Sequence, residues 1–113
     1  MKVSRGDWNV RPMASSRPLA YERSLTRHEL AGLVAGFKPA CMDDKWFIFS
    51  ENGAVHFHRS WSGEEIYAVT LVETPDGAEI ARVMVNNDYP DDADAIVVLD
   101  LLFEEILPQY YGE

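Results

Sequence analysis

The sequence lacks the features that define several large classes of protein. Its single cysteine, Cys41, cannot form a disulfide within the chain, which fits a reducing compartment, so we expect a cytoplasmic protein. No apolar run approaches the roughly 20 residues of a membrane span. No charged start followed by an apolar stretch marks a secretory signal. We therefore expect no membrane partner.

Motifs that identify a reaction are also missing. The sequence contains no P-loop, no G-x-G-x-x-G after a predicted strand, no G-x-S-x-G and no C-x-x-C. Thiol catalysis would need Cys41 within hydrogen-bond reach of a histidine, and nothing in the sequence places them so. We predict no catalytic residues and no cofactor, and we favour a binding protein over an enzyme.

Basic residues are scarce in the second half of the chain. Residues 62–113 contain one Lys or Arg against thirteen Asp and Glu, whereas residues 1–61 contain nine against six, and the net charge is −9. Duplex-binding proteins obtain most of their non-specific affinity by neutralising phosphates, so we expect no duplex nucleic acid as a partner. The acidic half can steer association with a basic protein, or it can be a solvated helix face.

The 113 residues contain enough apolar and aromatic material for one folded domain, at 47% and 12% of the composition. We predict an irregular N-terminal arm over residues 1–23, because Pro12 and Pro18 interrupt it and no periodicity persists. A single α+β domain is predicted over residues 24–113.

Local signals in this domain predict an N-terminal helix, four strands and a C-terminal helix. A capping box begins the first helix at Thr26, Asn52-Gly53 forms a hairpin turn, and Pro108 ends the last helix. After the hairpin, the predicted strands cover residues 65–73 and 79–86. Sequential strands joined by short turns make a four-stranded antiparallel meander, and we expect both helices to cover one face of it.

Aromatic and chemically capable side chains are concentrated in residues 45–61, which include five aromatic residues, two histidines and one arginine. If Asn52-Gly53 forms a type I′ turn, Trp46 opposes Arg59 across the two strands. Side chains alternate between the faces of a strand, which assigns each residue to a face. One face carries Trp46, Ile48, Val55, Phe57, Arg59 and Trp61, and the other carries Lys45, Phe47, Phe49, His56, His58 and Ser60.

Arg59 is predicted to lie between Trp46 and Trp61, and we call these three residues the Arg59 cluster. A guanidinium over an indole gains roughly 0.5–2 kcal/mol. The same group can hold a phosphate or carboxylate through paired N–H donors. The sequence leaves open whether the arginine stem only covers the indole rings or also recognises a ligand. All three residues are candidate ligand-binding residues.

His56 and His58 are predicted to lie on the other face of the hairpin. Two imidazoles at this spacing can bind one metal ion if a carboxylate, Cys41 or His28 completes the shell. This set is incomplete, and partly buried, hydrogen-bonded histidines explain the spacing equally well. We include both histidines as candidate ligand-binding residues and assign no metal site.

Three stretches of the hairpin region resemble a pattern, WFIY … FHRSWTG … IY, of an uncharacterised bacterial domain. They are Trp46-Phe47-Ile48-Phe49, Phe57-His58-Arg59-Ser60-Trp61-Ser62-Gly63 and Ile66-Tyr67. Ser62 stands where the pattern has threonine. The domain it resembles occurs alongside ADP-ribosylglycohydrolase or macro-type proteins. By association alone, the resemblance implies a link to ADP-ribose or nucleotide metabolism, and it implies no catalytic residues.

These features support three hypotheses. The first is a small binding or accessory module that recognises an anionic ligand, such as a nucleotide or ADP-ribose, through the Arg59 cluster. The second is a protein-interaction module of immunity or antitoxin type, whose acidic half meets a basic partner. The third is a metal-dependent or acid–base enzyme built on His56, His58 and Glu65. We favour the first. The sheet face away from the helices is left for the N-terminal arm, a ligand or a second chain, so a homodimer is also allowed.

Overall fold

The computed structural model describes residues 2–41, 44–89 and 91–110, and in it the chain forms an antiparallel sheet of six strands. The strands are β1 (Ser16–Leu19), β2 (Ser24–Thr26), β3 (Trp46–Glu51), β4 (Ala54–Arg59), β5 (Glu65–Thr74) and β6 (Gly77–Asn86). Their order across the sheet is β1-β6-β5-β4-β3, and β2 also pairs with β6. The four predicted strands are therefore confirmed as a meander, β3 to β6, within a larger sheet.

The hairpin has the register that the sequence predicts. Asn52 and Gly53 have φ values of 54° and 80°, as a type I′ turn requires. Trp46 pairs with Arg59, Phe47 with His58, and the pairing continues to the turn without a shift. The two-residue turn determines the register, so the predicted assignment of side chains to the two faces is also confirmed.

The predicted irregular arm is partly wrong, because residues 16–19 form strand β1. This strand pairs antiparallel with β6, and Pro18 lies opposite Met84. A proline is tolerated there because β1 is at the edge of the sheet, where an N–H can be absent without breaking an inner ladder. The pairing is with a strand more than sixty residues away, so no local signal in the sequence reveals it.

The first helix, α1 (Arg27–Ala35), begins as predicted. The Thr26 hydroxyl accepts the Glu29 N–H at 3.1 Å, and the Glu29 carboxylate accepts the Thr26 N–H at 2.8 Å. These two bonds satisfy donors that the first helical turn leaves free. The helix ends at Ala35, and Gly36, whose φ is 82°, caps it by donating its N–H to the Gly32 carbonyl. The remaining short element before the sheet is a single 3₁₀ turn, Arg5–Asp7.

The C-terminal helix does not end at Pro108, contrary to the prediction. It comprises α2 (Asp92–Leu101), a π-helical segment (Leu102–Ile106) and a final α-helical turn, α3 (Leu107–Tyr110). Asp91 caps its start by accepting the Ala93 N–H at 2.7 Å. Proline clashes with the carbonyl four residues earlier in an α-helix, and the wider π-segment directly before Pro108 accommodates it.

Both helices contribute to one buried cluster with the sheet face that carries Trp46 and Phe57. The Phe57 and Phe103 rings meet at a steep angle with centroids 6.3 Å apart. The sheet contributes Leu19, Leu25, Trp46, Ile48, Val55, Phe57, Ile66, Tyr67, Val69, Ile80, Val83 and Val85, and the helices contribute Leu33, Ala95, Leu99, Leu102, Phe103 and Leu107. No helix in the described ranges is long and apolar enough to cross a bilayer.

The opposite face of the hairpin is covered by residues 2–13, which we call the strap. Trp8 stacks on Phe47 with ring centroids 5.8 Å apart and an angle of 17° between the planes. The Arg5 guanidinium lies over the Phe49 ring at 4.9 Å. Of the three coverings that the sequence allows for this face, the structure therefore shows the N-terminal segment in place.

Candidate functional site

The Arg59 cluster lies at the end of β4, next to β3. The Arg59 guanidinium carbon is 4.2 Å from the centre of the Trp46 ring and 5.4 Å from that of Trp61. Trp46 is only 2% exposed because it belongs to the core, whereas Trp61, in the turn after β4, is 67% exposed. The guanidinium is thus held between a fixed indole and an accessible one.

Arg59 differs from the other partly buried arginines because it has no polar side-chain partner among the residues that the structure describes. Arg17 forms an ion pair with Asp92 at 2.8 Å, and Arg23 forms one with Glu104 at 2.7 Å. Within the described parts of the chain, the Arg59 guanidinium makes no ion pair and no hydrogen bond. Its contacts with the two ring faces leave its N–H donors free for an incoming acceptor.

Two open grooves meet at Trp61. The first, of about 550 Å³, is lined by Trp8, Pro39, Ala40, Cys41, Lys45, Ser60 and Trp61. Trp8 is fixed there because its indole N–H donates to the Ser60 carbonyl at 3.0 Å. Two indoles and a proline make the walls of this groove largely apolar, which suits a flat ring. We call it the indole groove.

The second groove, of about 300 Å³, is more polar. It is lined by Arg59, Trp61, Ser62, Glu64, Ile66, Asn86, Asp88 and Tyr89. Asn86 is held in place because its side-chain amide donates to the Glu65 carbonyl at 2.8 Å, while its own side-chain oxygen accepts the Asp88 N–H at 2.8 Å. The groove therefore places the Arg59 guanidinium, which can bind an anion, beside the carboxylates of Glu64 and Asp88, which can accept hydrogen bonds from hydroxyl groups. We call it the polar groove.

His56 and His58 lie on the strap face, away from both grooves. The His58 ring is fully buried, and its Nδ1 is 2.8 Å from the carbonyl oxygen of Gly63. A carbonyl can only accept, so Nδ1 carries the proton and Nε2 is a bare acceptor. Nε2 is buried and has no hydrogen-bond partner in the described structure. Burial lowers the pKa of His58, which keeps the ring neutral.

Glu65 joins the two histidines in a buried polar group, which we call the His–Glu cluster (His56, His58 and Glu65). The His56 Nδ1 lies 2.5 Å from the Glu65 carboxylate. Burial alone would raise the pKa of Glu65, but the hydrogen bond and charge of His56 outweigh it, aided by the Met13 N–H. The net effect is a lowered pKa, so this carboxylate stays ionised.

The structure therefore brings three of the five candidate residues together and separates the other two. Trp46, Arg59 and Trp61 form the expected cluster, but only the last two line a groove. His56 and His58 line neither groove. Among residues 2–41, 44–89 and 91–110, no three or more His, Cys, Asp or Glu side chains are arranged to hold a metal ion.

Sequence reasoning missed the walls that flank the cluster. Trp8 reaches the indole groove from the strap, and Glu64 and Asp88 reach the polar groove from beyond the hairpin. The unusual presence of a tryptophan in a segment without periodicity was the available signal for Trp8. For Glu64 the only signal is its nearness to Arg59 in the sequence, and for Asp88 there is none, because its approach depends on how β5 and β6 pair.

Comparison of the chain with protein-family models, with curated proteins and with solved structures finds no match in any of the three. The function is therefore argued from the grooves and their chemistry alone.

Proposed function

We propose that this protein is a small binding module for an anionic ligand that carries a flat ring, of the nucleotide or ADP-ribose class. The observation that carries the proposal is the Arg59 guanidinium, which lies between Trp46 and the exposed Trp61 and has no polar partner in the described ranges. A partly buried guanidinium that lacks a polar partner is strongly stabilised when an anionic ligand accepts its hydrogen bonds.

The walls of the two grooves complement the base, the phosphate and the ribose of such a ligand. An indole such as Trp61 stacks on a base, and stacking of this kind contributes about 1–3 kcal/mol per base. The Arg59 fork matches a phosphate. Carboxylates such as Glu64 and Asp88 accept hydrogen bonds from ribose hydroxyls, as acidic residues do in dinucleotide sites. The carboxylates also disfavour an anion that has no hydroxyl groups to meet them.

The direct test is a titration with ADP-ribose, NAD, AMP and inorganic phosphate, followed by tryptophan fluorescence and calorimetry. We expect ADP-ribose and NAD to bind more tightly than phosphate, because phosphate cannot stack. Replacement of Arg59 by Gln should weaken binding by at least about tenfold, since a hydrogen bond to a charged group contributes roughly 1.5–3 kcal/mol.

Arg82→Gln is the matched control, because Arg82 is an exposed arginine without a polar partner among the described residues, and it lies outside both grooves. It should bind as the natural chain does. Absence of any response up to about millimolar ligand would contradict the proposal, as would equal losses in the two arginine variants.

A second candidate function is docking of a basic protein on the C-terminal helix. Val97 and Leu101 lie one turn apart and are 64% and 47% exposed. Asp94 and Glu105 flank them, so a partner with an apolar anchor between Lys or Arg residues would complement this surface. The test is salt-dependent binding of a basic protein encoded beside the gene, and a Val97→Ser, Leu101→Ser variant should lose it.

The acid–base hypothesis has one observation in its favour, the short contact between His56 and Glu65. A carboxylate that orients an imidazole in this way is a common part of general-base catalysis. Neither imidazole lines the indole groove or the polar groove, so we propose no reaction.

A further inference from the structure

We propose that the strap is an acid-sensitive latch: it stays closed while His58 is neutral, and in mild acid it opens and withdraws Trp8 from the indole groove. The opening itself is independent of any ligand. Only its effect on the indole groove rests on the function proposed above.

The strap and the histidines of the His–Glu cluster form hydrogen bonds with the same two acceptors, the Gly63 carbonyl and the Glu65 carboxylate. The Gly63 carbonyl accepts both the Arg11 N–H and the His58 Nδ1–H, each at 2.8 Å. The Met13 N–H donates to the Glu65 carboxylate at 3.3 Å, and the Glu65 N–H donates to the Arg11 carbonyl at 3.0 Å. A change of charge in the cluster therefore acts directly on the bonds that hold residues 11–13.

Protonation of His58 is incompatible with the closed strap. The added proton would sit on Nε2, which is buried without an acceptor. The charged groups that face His58 are His56 on β4, Glu65 on β5 and Arg5 on the strap, and Arg5 is itself paired with Glu51 at 2.6 Å. Glu65 favours a charged His58, but its carboxylate already accepts from His56 and Met13, and burial prevails.

Lifting the strap brings water to the imidazole and removes this cost. The pKa of His58 is lowered from its ordinary 6.5 in the closed state, so the open state takes up a proton first as the pH falls. Acid therefore favours the open state, beginning near pH 6.5. For each unit by which closure lowers the pKa of His58, acid can raise the equilibrium constant for strap opening by up to about tenfold.

The backbone of the strap passes very close to Gly63, which supplies a second way to open it. A side chain at Gly63 would collide with the Asn9 carbonyl, and its φ is +73°. Gly53 has a similar φ of +80° and nothing near its Cβ position. Gly63→Ala and Gly53→Ala thus share the backbone strain, and only the first also displaces the strap.

The experiment is hydrogen exchange of the strap amides of Arg11 and Met13 in the ligand-free protein, corrected for intrinsic rates, at about pH 7.5 and about pH 5.5. We expect their protection to fall by up to about tenfold per unit below the ordinary His58 pKa, while core amides of β4 stay protected. His58→Phe, which cannot titrate, should abolish the pH dependence, and His28→Gln should keep it. Gly63→Ala should lower protection at both pH values, and Gly53→Ala should not.

Unchanged strap protection between the two pH values would overturn the latch, as would the same pH dependence in His58→Phe. If His58→Phe fails to fold, the Gly63 and Gly53 pair and the pH series of the natural chain still decide. ADP-ribose titrations at both pH values separate the two proposals. Weaker binding in acid supports the coupling, equal binding with an open strap refutes it, and no binding at either pH refutes the proposed function but leaves the latch intact.

Discussion

The two faces of the β3–β4 hairpin are equally buried but differ in what covers them. The face with Phe57 packs against two helices, and its neighbours there are apolar. The face with Phe47 is covered by the strap, and beside it lie two histidines and Glu65. The same two strands thus have an apolar helical cover on one side and a narrow, hydrogen-bonded cover on the other.

This difference teaches that burial alone does not measure how firmly a region is closed. The helical side is held by a contiguous apolar cluster, which we expect to open only when the whole domain unfolds. Among the described residues, the strap is held by the stack of Trp8 on Phe47, by the cation–π contact and ion pair of Arg5, and by a few hydrogen bonds, so it opens at a lower free energy. Polar groups that respond to pH are found on the side that can open.

The sharpest test of the comparison is a matched pair of truncations, Phe57→Ala and Phe47→Ala. Both rings are fully buried, so lost transfer energy is similar. We expect Phe57→Ala to lower the free energy of unfolding by about 3–5 kcal/mol, and Phe47→Ala by clearly less, because the strap can settle into the cavity and the helices cannot. Urea denaturation measures both. Equal losses would mean that the strap face is as rigid as the core.

The next largest effect separates Gly63 from Gly53. Both alanine variants carry the strain of a left-handed residue, about 1–2 kcal/mol. Gly63→Ala should lower the free energy of unfolding more than Gly53→Ala does, because its new methyl group also collides with the Asn9 carbonyl. Thermal unfolding and limited proteolysis within the strap check this. Cleavage that is no faster in Gly63→Ala than in Gly53→Ala would contradict the assigned path of the strap.

Acid should destabilise the strap side before the helical side. The folded pKa values of His58 and Glu65 are both lowered, so each contributes stability that is present at neutral pH and lost as the pH falls. For His58 the loss begins near 6.5, with a slope of up to about 1.4 kcal/mol per pH unit, and for Glu65 near 4.5. Unfolding free energies measured from about pH 8 to about pH 2, with His58→Phe alongside, give the two windows. A flat profile through 6.5 would exclude a buried neutral His58.

The smallest expected effect on stability is that of Arg59→Met. Methionine keeps the apolar stem over Trp46 and loses the cation–π contacts, which contribute roughly 0.5–2 kcal/mol. The proposed function predicts that this variant folds normally and loses ligand binding. Denaturation and titration are measured on the same sample, and a large loss of stability would indicate a purely structural role for Arg59.

The sequence predicts those parts of the fold that depend on neighbouring residues. The Asn52-Gly53 turn determines the register, and the register determines that Arg59 lies beside Trp46. The pairing of β1 with β6 could not be predicted, because it joins distant segments and β1 contains a proline. The same limit applies to the docking of Trp8 on Phe47.

For the candidate site, too, the sequence predicts what lies within the hairpin and does not predict contacts with other strands. The alternation of side chains put His56 and His58 on the face opposite Arg59. The acid–base hypothesis grouped Glu65 with them, but the alternation gave no reason for Glu65 to contact His56. That contact depends on a bulge between Phe57 and His58 that makes Glu65 the partner of His58. Which indole is accessible also depends on tertiary packing, since Trp46 is buried in the core, where it packs against Phe57 and Tyr67.

The π-segment Leu102–Ile106 has a consequence for the tolerance of this chain to changes in length. A π-turn holds one residue more than an α-turn, so the residues after it are rotated by about 100° relative to an uninterrupted α-helix. Loss of a single residue from this segment would let the helix become regular, and because the deletion removes the extra residue, Leu107 would still face the core that it now joins. The C-terminal helix should therefore tolerate a one-residue deletion within Leu102–Ile106 better than a one-residue deletion within α2, which would rotate part of its apolar face away from the core.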